Sequence, residues 1–183
     1  MKYLFGLIAV LLVTGSVYVI FQNQAKEKDP LSYYGVTDLS LEEKVLALDQ
    51  QTLDGNIIGA GILERELIIQ TTEGEMSYPV DEDLFYLSFA PYIERTHPCH
   101  NHNLVTCRSE LANETMSVTI TKDDGTVYLD ETVTMFDNGF YGLWLSSNAN
   151  YTIEVDYEGK TVTTSFETFS DSGTCLTEPL QLS

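Results

Sequence analysis

The stretch that decides the fold is 151–169, "YTIEVDYEGKTVTTSFETF". Ile153, Val155 and Tyr157 alternate with Thr152, Glu154 and Asp156, so an extended chain has one apolar side and one polar side. That period of two marks a half-buried strand. "EGK" at 158–160 then turns the chain into "TVTTSFETF", whose β-branched and aromatic residues suit a second strand. The pattern continues backward. "MSVTIT" (116–121), with Val118 and Ile120 alternating, passes through "KDDG" into "TVYLDETVTMF", and "DNG" (137–139) leads into "FYGLWLS". Strands of this length, spaced by roughly ten to fifteen residues, predict an antiparallel β-sandwich over 113–183.

Upstream, 38–112 reads as a small α+β segment. In "TDLSLEEKVLALDQ" Ser40 precedes Glu43 by three positions, the spacing of a capping box, and Leu41, Val45 and Leu48 share a helical face. A helix is expected from about Leu41 to Asp49. Short runs follow, "NIIGAGI", "ELIIQTT", "MSYPV" and "LFYLSFAPY", with "TEGE" (72–75) as a turn.

Residues 3–21, "YLFGLIAVLLVTGSVYVIF", carry no charge. A helix of that length rises about 28 Å, close to the roughly 30 Å hydrocarbon core of a bilayer. Residues 1–22 are therefore expected to form a transmembrane anchor and 23–37 a polar tether. The expected class is α+β: an N-terminal transmembrane helix, the α+β segment and the C-terminal sandwich. Cleavage near "VTGS" is the alternative, giving a secreted protein. Either way the domain lies on the extracytoplasmic side, single-pass at the cell membrane in the first case.

Nine Lys+Arg face 28 Asp+Glu, a formal net charge of −19. Nucleic acid is excluded as a partner, because phosphate neutralisation needs Lys and Arg. The surface favours solubility and attracts cations.

All three histidines and two of the three cysteines fall in "THPCHNHNLVTC", 96–107; Cys175 stands alone near the C-terminus. Thiolate and imidazole together suit Cu(I) and Zn(II), thiolate being the softer ligand. Pro98 bars a regular helix through the segment. In an extended chain His97 and Cys99 project to one side and His100 and His102 to the other, so a bend or two adjacent sites is needed. "LVTCRSELAN" suggests a helical turn that would aim Cys107 inward with Leu104 and Leu111. A disulfide is the plainer reading, and 99–107, 99–175 and 107–175 are all conceivable. Thioredoxin-like chemistry lacks its C-x-x-C spacing. Met76, Met116 and Met135 read as core filler. No G-x-S-x-G, Walker or Rossmann motif is present. Zinc binding, or a disulfide-stabilised extracellular interaction module, are the competing functions.

Three blocks in order, "LSFAPYIERTHPCHNHNLVTC" (87–107), "FDNGFYGLWL" (136–145) and "TCLTEPLQL" (174–182), resemble the CueP family of exported bacterial copper-binding, copper-resistance proteins. The resemblance implies metal ligation by Cys99, Cys107, Cys175, His97, His100 and His102. It also implies thiol-dependent reduction of Cu(II) to Cu(I) and delivery to exported copper/zinc superoxide dismutase, with a thiol-disulfide reductase restoring the thiols. On that reading Cu(II) arrives at His100 or His102, two thiolates give one electron each, and the remaining thiolate holds Cu(I) with a histidine. No catalytic set is expected; cupric reduction, stoichiometric or assisted, is the one reaction the cluster suggests.

Overall fold

Strand alternation sorts the side chains into layers, and the computed structural model of the chain arranges its strands in three sheets. The structure describes residues 39–50 and 57–183. The expected anchor (1–22) and tether (23–37) lie outside these residues. Among the described residues, no helix is long and apolar enough to cross a membrane.

The single described helix, α1 (Leu41–Gln50), begins on the expected capping box. Glu43 N donates to Ser40 Oγ at 3.2 Å and Ser40 N donates to Glu43 Oε2 at 2.9 Å. Val45 and Leu48 are buried, and Asp49, one turn beyond Val45 on the same face, is buried with them.

The first sheet has the order β3–β2–β1–β5, all antiparallel, from β1 (Ile57–Ile62), β2 (Glu66–Thr71), β3 (Glu75–Pro79) and β5 (His102–Asn103). The expected turn at 72–75 forms: Thr71 Oγ1 accepts from Glu73 N and Gly74 N at 3.2 Å each. The second sheet, β10–β9–β6–β7, contains β6 (Thr115–Lys122), β7 (Val127–Thr134), β9 (Asn150–Tyr157) and β10 (Lys160–Glu167). The deciding hairpin of 151–169 is β9–β10, in register from Lys160↔Tyr157 to Glu167↔Asn150. The third sheet, β11–β4–β8, joins β4 (Leu84–Phe89), β8 (Tyr141–Ser146) and β11 (Cys175–Leu176).

The second and third sheets enclose one apolar core. Val118 and Ile120 of β6 and Ile153 and Val155 of β9 meet Phe85, Leu87 and Phe89 of β4 and Leu145 of β8. Each such side chain, fully buried, contributes about 1.5–3 kcal/mol before entropy is counted. Two features differ from the expected sandwich of 113–183. One face draws on β4, from before residue 113, and β11 runs parallel to β4 (Cys175↔Ser88, Leu176↔Phe89). The described fold is thus mostly β with one short helix. Strand β4 is buried on both faces. Phe85, Leu87 and Phe89 serve the sandwich core, while Tyr86 and Ser88 point to Asp49 on the other side.

Downstream of β4 the chain is steered into the Cys/His segment by Glu110. Its carboxylate accepts from three successive backbone donors, Ile93 N, Glu94 N (2.9 Å) and Arg95 N (3.1 Å). Desolvation would raise the Glu110 pKa, but these N–H groups favour the charged form and carry it below the usual value. A depressed carboxyl pKa adds stability above the unfolded pKa, about 4.3, that disappears as pH falls through the folded value. Because Glu110 is exposed, Glu110→Gln is expected to cost only about 1 kcal/mol at pH 7. Urea unfolding of both proteins should show that gap closing as the pH drops below about 4.

Candidate metal centre

Two strands deliver the far-separated residues. His102 is carried by β5, which pairs Ile62↔His102 with β1. Cys175 is carried by β11 along β4. The buried Thr174 ties these two sheets together. Its hydroxyl donates to Ile62 O at 2.6 Å and accepts from His102 N at 3.0 Å, and its carbonyl accepts from Ser88 N at 2.9 Å.

The His102 ring is fully buried, as is the Asp49 side chain it meets. Nε2 lies 2.8 Å from Asp49 Oδ1, and the other ring nitrogen, Nδ1, lies 3.9 Å from Cys175 Sγ. Asp49 is fully coordinated by donors. Asn138 Nδ2 donates to Oδ1 at 2.7 Å and to the Asp49 carbonyl at 3.0 Å, while Tyr86 Oη and Ser88 Oγ donate to Oδ2 at 2.8 and 3.3 Å. Burial and the neighbouring Asp49 carboxylate push the Tyr86 hydroxyl pKa well above its ordinary range, so it stays a donor. Space for it comes from Gly142, where a Cβ would sit 1.8 Å from Tyr86 Oη and 2.7 Å from Asp49 Oδ2.

The three sulfurs converge. Cys99 and Cys175, separated by 76 positions, are joined as a disulfide with Cα atoms 5.6 Å apart. Cys107 is a free thiol whose Sγ lies 3.9 Å from Cys99 Sγ. The expected turn after Leu104 is a single one, closed by Cys107 N donating to Asn103 O at 3.1 Å. Asn103 Oδ1 accepts from Val105 N and Thr106 N, and Asn103 N donates to Cys107 Sγ at 3.4 Å. Leu104 and Leu111 are buried, whereas Cys107 is half-buried.

The ligand atoms fall into two sets, each within 4.8 Å of one another: His97, Cys99 and Cys107, all half-buried, and Cys99, His102 and Cys175. Cys99 belongs to both. Phe140, fully buried, touches both histidines, its ring centroid 4.5 Å from that of His102 and 6.2 Å from that of His97. His100 joins neither set. It is exposed, and its backbone carbonyl accepts from Cys175 N at 3.0 Å. Its close approach depends on Gly173, where a Cβ would meet His100 O at 2.5 Å. Met116 and Met135 are buried in the sandwich core.

Burial disfavours charge on His102, but the hydrogen bond to Asp49 and the nearby Cys107 sulfur outweigh it and raise its pKa to about 9. Burial likewise pushes the Cys107 thiol up, but His102 and the Asn103 N–H lower its pKa overall. That lowering enlarges the share of thiolate at Cys107, the form that binds soft metal and attacks electrophiles.

Asp49, Asn138, Tyr86, Ser88 and Thr174 were not singled out from the sequence. One signal was present: Asp49 follows Val45 by four positions and so shares the apolar face of α1.

Two outcomes are expected. Alkylation of the oxidised protein should label one thiol, at Cys107, and alkylation after full reduction should label three, as read by mass spectrometry. Gly142→Ala should destabilise the domain by about 3 kcal/mol, at the upper end of overpacking costs, as read by urea unfolding.

Comparison with known proteins adds independent findings. Residues 43–180 match the family model described as periplasmic copper-binding protein CueP. A solved crystal structure of S.CueP is similar to this chain at 39% sequence identity and a TM-score of 0.77, covering 84% of this chain and 94% of its own. No curated protein matches the chain.

Proposed function

The chain belongs to the CueP family, and from that premise we propose that it binds copper outside the cytoplasm through its clustered thiols and histidines. The observation that carries the reading is the convergence of Cys175 on Cys99, with Cys107 3.9 Å away. A disulfide at 99–175 also suits an exported compartment.

The ligands are Cys99, Cys107 and Cys175 with His97 and His102. His100 takes part through its carbonyl bond to Cys175 N rather than as a ligand beside the sulfurs. Burial bars arrival at His102, and His100, though exposed, lies outside both ligand sets. His102 has no water-facing surface, whereas His97 and Cys107 line an open pocket of about 400 Å³ with Thr106 and Arg108. Copper enters there and meets the outer set first.

Starting from the reduced protein, the Cys99 and Cys175 thiolates each give up one electron as the S–S bond forms. Two Cu(II) ions become two Cu(I), and no external oxidant is needed. Cys107 and His97 retain Cu(I) in the outer set. A thiol-disulfide reductase regenerates Cys99 and Cys175, and an exported copper enzyme such as superoxide dismutase accepts the metal.

Anaerobic addition of Cu(II) to reduced protein should remove two thiols for every two Cu(II) reduced, with the bridge mapped to 99–175 and Cu(I) captured by a chromogenic chelator. Survival of all three thiols in excess Cu(II) would sink the reductive step. In a separate titration with Cu(I) against a competing chelator, replacing all three cysteines by serine should abolish tight binding. Wild-type affinity should also weaken in acid, since copper must displace protons from its ligands.

A further inference from the structure

Among the described residues, Asp49 is the one buried carboxylate whose contacts run directly into the Cys/His cluster, and it is not itself one of the sulfur or imidazole ligands. Its side chain is sealed from water. It comes from α1, far in sequence from the Cys/His segment, and meets His102 across 53 positions. Imidazole has two nitrogens, and the partner of one decides which way the other faces. Here Asp49 Oδ1 takes Nε2, so Nδ1 is the nitrogen turned toward Cys175 Sγ.

We propose that Asp49, itself held by Asn138, is a positioning residue for copper: it fixes the ring of His102 so that Nδ1 is presented to the inner sulfurs Cys99 and Cys175. This deepens the copper reading above and rests on it. The arrangement is that of a carboxylate–histidine–metal triad, in which the outer carboxylate sets tautomer and ring orientation.

Three features point to orientation rather than to filling of space. The carboxylate is itself oriented, since Asn138 Nδ2 bonds both its Oδ1 and its backbone carbonyl. Its second oxygen is occupied by Tyr86 and Ser88, so Oδ1 is left to His102 and Asn138. Phe140 packs on the His102 ring, and Phe140 N donates to Asn138 Oδ1 at 2.9 Å, so one turn braces both members of the pair. The 136–140 turn thereby acquires a role at the metal centre without contributing a ligand.

Two measurements on the fully reduced protein, with Cys99 and Cys175 as thiols, test this, both with Cu(I) as the probe. In long-range proton–nitrogen correlation spectra of the Cu(I)-loaded wild type, His102 should keep its proton on Nε2, while Nδ1 should show the metal-induced shift. A shift on Nε2, or a proton on Nδ1, overturns the proposal, and this readout needs no variant. The second is a cycle of Cu(I) affinities by chelator competition. Asp49→Ala should weaken binding 10–100-fold, the usual cost of losing such an outer partner. Asp49→Asn, which keeps an acceptor oxygen for Nε2, should lose less. In a His102→Ala background, Asp49→Ala should cost nothing further, because its effect passes through the ring. An equal loss in both backgrounds overturns positioning and marks Asp49 as merely structural. If the wild type binds tightly and the cycle is additive, this inference alone falls. Should the wild type bind no Cu(I), the copper reading falls and takes this inference with it.

Discussion

A carboxylate with no access to water must be satisfied completely or it destabilises the fold that buries it. Asp49 is such a group, and its four side-chain donors come from separate parts of the molecule: His102 of β5, Tyr86 and Ser88 of β4, and Asn138 of the turn before β8. Meeting that requirement fixes how α1, the first sheet and the third sheet come together. Any slip of β4 by one residue would swap its faces, turning Tyr86 and Ser88 into the sandwich core and Phe85 and Leu87 toward the carboxylate. The polar network and the apolar core therefore specify the same register from opposite sides of one strand.

That double duty of β4 explains how sulfurs from distant segments converge. Ser88 N donates to Thr174 O and Ala90 N to Leu176 O, so the strand whose outer face serves Asp49 also receives Cys175 along its edge. Thr174, the residue before it, is bonded to β1 and β5 through a single hydroxyl. The strand that carries His102 and the strand that carries Cys175 share that hydroxyl. Convergence of the ligands is a consequence of sheet register rather than of any property of the loop alone.

Much of this was legible in the sequence where one face meets water. Alternation in Ile153, Val155 and Tyr157 gave β9, and the Ser40/Glu43 spacing gave the start of α1, because both are local patterns with a fixed period. Strand β4 was found as an apolar run, but its place in the sandwich was hidden. A strand buried on both sides shows no alternation to say which neighbours it keeps. The two-residue β11 is too short to carry any periodic signal, and only its pairing to β4 explains it. At the site, extended geometry correctly grouped His97 with Cys99. It grouped His100 with His102 as well, yet the structure leaves His100 exposed and sends His102 inward, because β5 pairing begins at His102. The three conceivable disulfides could not be separated by spacing, since the choice depends on where a parallel strand places residue 175.

The two ligand sets are not equivalent, and their sharing of Cys99 gives the cluster a direction. The outer set faces the open pocket, and its cysteine sits on a turn braced by Arg108, whose Nη1 donates to Val105 O at 2.9 Å and Cys107 O at 2.6 Å. A guanidinium committed to these two carbonyls stiffens the turn. The inner set lies beneath Phe140 and against Asp49, with His102 fully buried. Because Cys99 cannot be a thiolate in one set while it is a disulfide partner in the other, the oxidation state of the inner pair decides what the outer set can offer. With the pair reduced, the outer set has two sulfurs and an imidazole; with it oxidised, one sulfur and an imidazole. Under the proposed function, bridge formation would thus weaken the outer set's grip on copper as it reduces the metal. Electron transfer and metal release would then be coupled through one shared sulfur, with no conformational change required.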